Sequence, residues 1–168
     1  MRSAPIGAYF ADDYQRVVYE AKASAEVTHA HTDGKTGAAA VALAAAWMVR
    51  KPKAATKPSH ALIEFVLEHI PQTETFHTLK KALEVPLEFS PRSAASILGN
   101  GSGVVSSDTV PFCLWCAARH AGSYTNALWA TEDPIAASKR GVGTHSHISP
   151  AAQRAVYRIL VVGATSSA

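Results

Sequence analysis

VTHAHTDGKTGAAAVALAAAWMV, residues 27–49, is the stretch from which the fold can be predicted. A polar cluster at 28–34 leads directly into an alanine-rich apolar run, and Ala and Leu are strong helix formers. Because this run is apolar on nearly every face, a helix formed by it has to be covered on all sides. The run is too short to span a membrane once its glycines and lysine are discounted. We therefore predict a central core helix over residues 34–50.

The segments on either side of this helix show helical and not strand patterning. Apolar residues recur at helical spacing, and no segment alternates convincingly between apolar and polar residues. Ser59, Thr73 and the Ser90-Pro91 pair are typical of helix starts. The sequence thus predicts an all-α fold, a multi-helix orthogonal bundle of about seven helices around the central Ala-rich helix at 34–50.

Composition limits the classes of function. The 168 residues suffice for one domain with a sizeable core, and the net charge of +3 is mild. No run of Lys and Arg marks one helix face, so we expect no nucleic acid partner. No signal peptide and no membrane span are recognisable, which favours the cytoplasm. Cys113 and Cys116 lie three residues apart in a helical segment, and two buried thiols are a better interpretation than a redox or metal site.

Two histidine pairs and a glycine-rich loop could carry chemistry. His29 and His31 precede the central helix, where they could form a polar plug, an anion site or a metal site. The Gly99–Gly103 loop could bring backbone N–H groups close to a phosphate or ribose, or could be only a turn. His145 and His147 have no partner motif nearby and are interpreted as a surface loop.

Three segments together carry a resemblance to a known family. They are MRSAPIG at 1–7, ASAEVTHAHTDGKTGAAAVALAAA at 23–46 and LGNGSGVVSSDTVPFCLWCAARHAGSYTNALWAT at 98–131. The chain resembles the ADP-ribosylglycohydrolase family, which includes the dinitrogenase-reductase-activating glycohydrolases. The resemblance implies an all-α fold and hydrolysis of the N- or O-glycosidic bond of ADP-ribosylated substrates with two magnesium ions.

The resemblance also implies roles for individual residues. Met1-Arg2-Ser3 would belong to a loop that lies along the ADP-ribose phosphates, and the Thr28-His29 motif would lie beside it. The glycine-rich loop and the edge at 105–107 would border the nucleoside end. The candidate ligand-binding residues are Arg2, Ser3, Thr28, His29, His31, Asn100, Gly101, Gly103 and Ser106.

The family's metal-binding motifs are missing from this sequence. Members of the family carry an N-terminal Thr-Asp-Asp-type motif and a C-terminal Gly-Asp-x-Asp-Thr motif, and neither occurs in the 168 residues. We therefore assign no catalytic residue and no metal ligand, and we do not expect magnesium to bind well. Residues 1–131 are expected to form a partial family domain. Residues 132–168 would be a divergent tail, such as a frameshifted or truncated gene would produce.

The expected partner is ADP-ribose or an ADP-ribosylated protein, and the oligomeric state stays open. A hydrolase of the family whose sequence is truncated, and which is inactive as written, is the first interpretation. The alternatives are a catalytically dead ADP-ribose-binding remnant and a helical interaction module.

Overall fold

Residues 3–50, 57–121, 123 and 126–127 are described by the computed structural model. Within these ranges the chain forms seven α-helices and no strand, so the all-α prediction is confirmed. The helices are α1 (Ala4–Tyr9), α2 (Tyr14–Glu26), α3 (Thr32–Arg50), α4 (Ala61–His69), α5 (Glu74–Lys81), α6 (Pro91–Leu98) and α7 (Ser106–Arg119).

The Ala-rich helix α3 lies at the centre of the bundle, as predicted. No residue between 33 and 49 is exposed, and the whole run 39–46 is buried. Helices α1, α2, α4, α5 and α7 all pack against it. The helix begins at Thr32, two residues before the predicted start, so that Asp33 lies in its first turn.

Two glycines allow helices to approach closely. A Cβ atom on Gly7 would lie 1.8 Å from the carbonyl oxygen of Ala42, so the side of α1 rests directly on the backbone of α3. A Cβ atom on Gly37 would lie 2.5 Å from the Cβ of Ser106, which places the start of α7 against α3. Because real Cβ atoms do not approach so closely, only glycine fits at either position.

The core is completed by aromatic side chains of α7. Trp115 and Phe112 are fully buried, with ring centroids 6.4 Å apart. The indole Nε1 of Trp115 donates to the carbonyl oxygen of Val85 at 3.2 Å, and the same oxygen lies 3.1 Å from Nε2 of His60. One carbonyl therefore joins the segment after α5 to α7 and to the residue that precedes α4.

Two of the three predicted helix starts, Thr73 and Ser90, are confirmed, whereas at α4 the N-cap is His60 and not Ser59. The side chains of Thr73 and Ser90 accept hydrogen bonds from the backbone N–H groups of Phe76 and Ser93, as expected of capping residues. In the part of the chain that the structure describes, no helix is long and apolar enough to cross a membrane.

Both cysteines are buried and no disulfide joins them, in agreement with the interpretation as core thiols. Burial raises the pKa of the Cys116 thiol well above its ordinary value, and the neighbouring Cys113 adds to this effect. The thiol is therefore unreactive at neutral pH.

Candidate functional site

The N-termini of three helices are joined around Asp33. The Asp33 carboxylate accepts the backbone N–H of Thr75 at 2.9 Å, which ties α3 to the first turn of α5. Ser106, the first residue of α7, donates its hydroxyl to the carbonyl oxygen of Asp33 at 2.8 Å and lies 2.9 Å from the Thr75 hydroxyl. Because helix N-termini present N–H groups and the positive end of the helix dipole, this junction favours negative charge.

The Asp33 carboxylate is held in its charged form. Partial burial raises its pKa, but hydrogen bonds from the Thr75 backbone and from the hydroxyls of Thr73 and Thr75 outweigh this effect, and His31 adds to them. The pKa of Asp33 is therefore lower than that of an ordinary aspartate. Its carboxylate accepts the N–H of Thr75 in the first turn of α5, so Asp33, which belongs to α3, caps the N-terminus of α5.

The residues 28–33, which we call the His loop, form the entrance to α3. The hydroxyl of Thr28 donates to the carbonyl oxygen of Ala25 at 3.2 Å and lies 2.8 Å from Nδ1 of His29. Nδ1 of His31 accepts the backbone N–H of Asp33 at 3.2 Å and so caps the helix. Residues 28–32 are exposed, which leaves both imidazoles accessible to a ligand.

The glycine loop, residues 99–103, is folded around Asp108. The N–H of Gly103 donates to the Asp108 carboxylate at 2.7 Å, and the N–H of Gly101 donates to the Asp108 carbonyl at 3.2 Å. The N–H of Ser102 donates to the side-chain oxygen of Asn100 at 3.0 Å. These backbone donors are therefore already used by Asn100 of the loop and by Asp108 of α7, with a carboxylate in the place where a phosphate could otherwise be held.

Backbone conformation at this loop agrees with its packing. Gly99 has a φ of 98°, and a Cβ there would lie 2.3 Å from the Asp108 carboxylate. Val104, which follows the loop and is 88% exposed, has a φ of 57°, which is rare for a β-branched residue. The turn into α7 is thus strained at one exposed position.

Comparison with known proteins gives the affiliation of this chain. The family model described as ADP-ribosylglycohydrolase matches residues 1–131. The chain belongs to the ADP-ribosylglycohydrolase family. Searches of curated proteins and of solved structures found no match.

The structure brings some of the candidate ligand-binding residues of this ADP-ribosylglycohydrolase relative together. Thr28, His29 and His31 share the His loop, and Ser106 is tied to the end of that loop through Asp33. Asn100, Gly101 and Gly103 share the glycine loop, which directly precedes α7.

Two further candidates lie at the N-terminal end of the chain. Ser3 precedes α1 and is 3% exposed, and its hydroxyl has no hydrogen-bond partner among the described residues. Arg2 lies outside the described residues, as do His145 and His147. The relation of Arg2 to the His loop therefore stays a prediction.

Thr75 is a site residue that the sequence analysis missed. It is fully buried, and both its N–H and its hydroxyl take part in the junction of the three helices. Thr73 was recognisable as a helix cap, but nothing in the sequence connects residue 75 with residues 33 and 106. Asp33 was visible as part of the polar cluster, without a signal that α5 would be its partner.

The magnesium ions of the family do not fit the residues that the structure describes. No group of three or more His, Cys, Asp or Glu side chains within these residues could hold a metal ion. Asp33 is the carboxylate at the junction, and its oxygen already accepts the N–H of Thr75. A divalent ion needs several oxygen ligands, and one engaged carboxylate does not supply them.

Proposed function

We propose that this chain binds the diphosphate of ADP-ribose at the His loop and does not hydrolyse ADP-ribosyl bonds by itself. The observation that carries the proposal is the junction at Asp33, where the N-termini of α3, α5 and α7 meet beside two exposed imidazoles. Family membership supplies the chemical class of the ligand. The N–H groups of Thr75 and Asp33 already have acceptors, but the helix dipoles and the exposed imidazoles can attract an anion without any metal.

The His loop is a better phosphate site than the glycine loop. In the glycine loop the N–H groups of residues 101, 102 and 103 already have acceptors, two of them supplied by Asp108. A phosphate placed there would have to displace the Asp108 carboxylate from the N–H of Gly103. In the His loop the ring nitrogens Nε2 of both histidines are on exposed residues and can reach a ligand. The glycine loop then serves as a wall of the site, next to Ser106.

We expect no hydrolysis because the carboxylate motifs that hold the metal ions in this family are missing from the sequence. Metal ions in such reactions polarise the ribose end and position water, and they are held mainly by carboxylates. The sequence holds neither the Thr-Asp-Asp-type motif nor the Gly-Asp-x-Asp-Thr motif. We propose accordingly that magnesium does not bind well to this chain.

Calorimetric titration of the chain with ADP-ribose, with and without magnesium, tests the proposal. We expect binding that does not depend on magnesium, together with no release of ADP-ribose from an ADP-ribosylated protein. The variant His31→Asn should bind more weakly, whereas His77→Asn, which changes an exposed imidazole on α5, should bind like the parent. Magnesium-dependent turnover above the blank would contradict the proposal, and so would a complete lack of ADP-ribose binding.

Two further parts of the proposal concern the bounds of the family domain and the cellular compartment of the protein. We place the family domain at residues 1–131 and regard 132–168 as a divergent tail. Translating the other two reading frames after the codon for Thr131 tests this, because a Gly-Asp-x-Asp-Thr motif is expected in one of them, and stop codons throughout would contradict it. The two buried cysteines, which form no disulfide, are compatible with a reducing cytoplasm, which cell fractionation would test.

A further inference from the structure

The glycine loop contains a dipeptide whose backbone can modify its own side chain. Asn100 is followed by Gly101, and glycine has no Cβ that would keep its backbone nitrogen away from the preceding side chain. This nitrogen can attack the side-chain carbon Cγ of the asparagine and form a five-membered succinimide, with loss of ammonia. Water then opens the ring to aspartate or to isoaspartate, so that a carboxylate replaces the amide in either product.

The structure holds the two reacting groups by separate hydrogen bonds. The side-chain oxygen of Asn100 accepts the backbone N–H of Ser102 at 3.0 Å, which keeps the amide close to the backbone of the loop. The N–H of Gly101 donates to the carbonyl oxygen of Asp108 at 3.2 Å, and Gly101 is buried. Because the nitrogen has to lose its proton to become a nucleophile, both this hydrogen bond and the burial oppose the attack. Deamidation therefore requires that the bond between Gly101 and Asp108 opens.

Asp108 controls this opening because it holds the loop twice. Besides its carbonyl oxygen, its carboxylate accepts the N–H of Gly103 at 2.7 Å. The loop is closed tightly onto α7 at this point, since a Cβ on Gly99 would lie 2.3 Å from the same carboxylate. We infer that Asn100 is a site of spontaneous deamidation, and that the opening of the glycine loop from Asp108 sets its rate. The inference does not depend on the binding of ADP-ribose at the His loop.

The sequence has one other dipeptide in which such a ring could close, Asp33-Gly34. Ring closure at an aspartate requires a neutral carboxyl group, because a carboxylate is a poor target for a nucleophile. The Asp33 carboxylate accepts the N–H of Thr75 at 2.9 Å, a bond that favours its charged form. The side chain of Asn100 has no charge that would have to be neutralised. The reaction is therefore expected at Asn100 and not at Asp33.

Deamidation has a consequence for the loop. The isoaspartyl product carries its backbone through the former side chain, which adds one carbon atom between the Cα of residue 100 and the nitrogen of Gly101. The loop becomes longer where two N–H groups are matched to Asp108, and a second negative charge is placed beside it. Helix α7 begins shortly after the loop with Ser106, whose hydroxyl is bonded to the Asp33 carbonyl. Deamidation should therefore loosen, irreversibly, the wall beside Ser106.

Peptide mapping of the full chain by mass spectrometry tests the inference. The folded chain and the chain unfolded in guanidinium chloride are incubated at the same mildly alkaline pH, and each deamidation is read as a mass increase of the peptide that carries it. In the unfolded chain Asn100 should react faster than Asn126, because Asn126 precedes an alanine, whose Cβ obstructs the attack. In the folded chain Asn100 should react at least about tenfold more slowly than in the unfolded chain, because the reaction waits for local opening. Equal rates in the folded and unfolded chains, or no reaction of Asn100 in the unfolded chain, would overturn the inference.

Substitution of Asp108 tests whether loop opening sets the rate. Asp108→Ala removes the acceptor for the Gly103 N–H, and the loss of this hydrogen bond should accelerate deamidation of the folded chain about fivefold. The matched variant Asp108→Asn keeps an oxygen acceptor there, so Asn100 should react at a rate close to that in the parent. Circular dichroism shows whether each variant is folded.

Amide hydrogen exchange of Gly101 in the parent requires no substitution and reports the opening directly. Its protection factor should match the factor by which folding slows deamidation. A protected Gly101 N–H together with deamidation as fast as in the unfolded chain would overturn the inference, and so would equal deamidation rates in the parent and in folded Asp108→Ala.

Discussion

Replacing Gly37 by alanine should weaken the junction that positions the site. The new methyl group would lie 2.5 Å from the Cβ of Ser106, whereas ordinary contacts begin at 3.4 Å. Helix α3 and the start of α7 therefore have to separate by about 1 Å, and overpacking of this kind costs about 1–3 kcal/mol. The shift also pulls the Ser106 hydroxyl away from the Asp33 carbonyl and from Thr75.

The expected change in the free energy of unfolding has three contributions, of which the overpacking is the first. Two hydrogen bonds are worth about 1 kcal/mol each. Against this loss, alanine in a helix is about 1 kcal/mol more favourable than glycine. The free energy of unfolding of Gly37→Ala should consequently be lower by about 2–4 kcal/mol than that of the parent.

Urea unfolding followed by far-ultraviolet circular dichroism measures this change. The variant Ser106→Gly removes the Cβ that the new methyl group would meet, so it should partly rescue Gly37→Ala. In a double-mutant cycle we expect a favourable coupling of about 1 kcal/mol or more between the two positions. If Gly37→Ala is as stable as the parent, or if the two substitutions are additive, the contact between α3 and α7 does not have the described geometry.

Three further predictions concern single residues. Because the pKa of Asp33 is lowered in the folded chain, its contribution to stability is present above the unfolded value of about 3.9 and is lost as the pH falls through the folded value. As the pH is lowered, the free energy of unfolding of the parent should thus fall more steeply than that of Asp33→Asn. Parallel curves of the two proteins against pH would contradict this. Val104→Asn should raise the free energy of unfolding by about 1 kcal/mol, since asparagine tolerates a positive φ, while the exposed control Val27→Asn in a helical conformation should change little. Trp115→Phe should lower the free energy of unfolding by about 2 kcal/mol or more, because the substitution leaves the Val85 carbonyl without its indole donor; an unchanged urea midpoint would contradict this.

The sequence predicts the scaffold of this fold well because local patterns determine it. The Ala-rich run identifies the central helix, and Thr73 and Ser90 mark helix starts that the structure contains. These features depend on residues close together in the chain, where spacing and capping chemistry are sufficient.

The site is less predictable because its contacts join distant residues. Residue 75 is 42 positions from Asp33, and residue 106 is 73 positions from it. A glycine-rich loop read as a cradle for phosphate can equally be folded around a carboxylate of its own chain, and only the structure shows that Asp108 takes this place.

The composition of α3 has a consequence for mutational scanning. Seven of its residues are already alanine, so the usual replacement by alanine changes nothing at much of the centre of the domain. A scan of that kind would assign most of its large effects to α4, α5 and α7 and would leave the helix that they all surround without signal. Replacement by glycine, which loosens the backbone, or by valine, which adds volume where neighbours are in contact, would be needed to reveal how strongly the domain depends on α3.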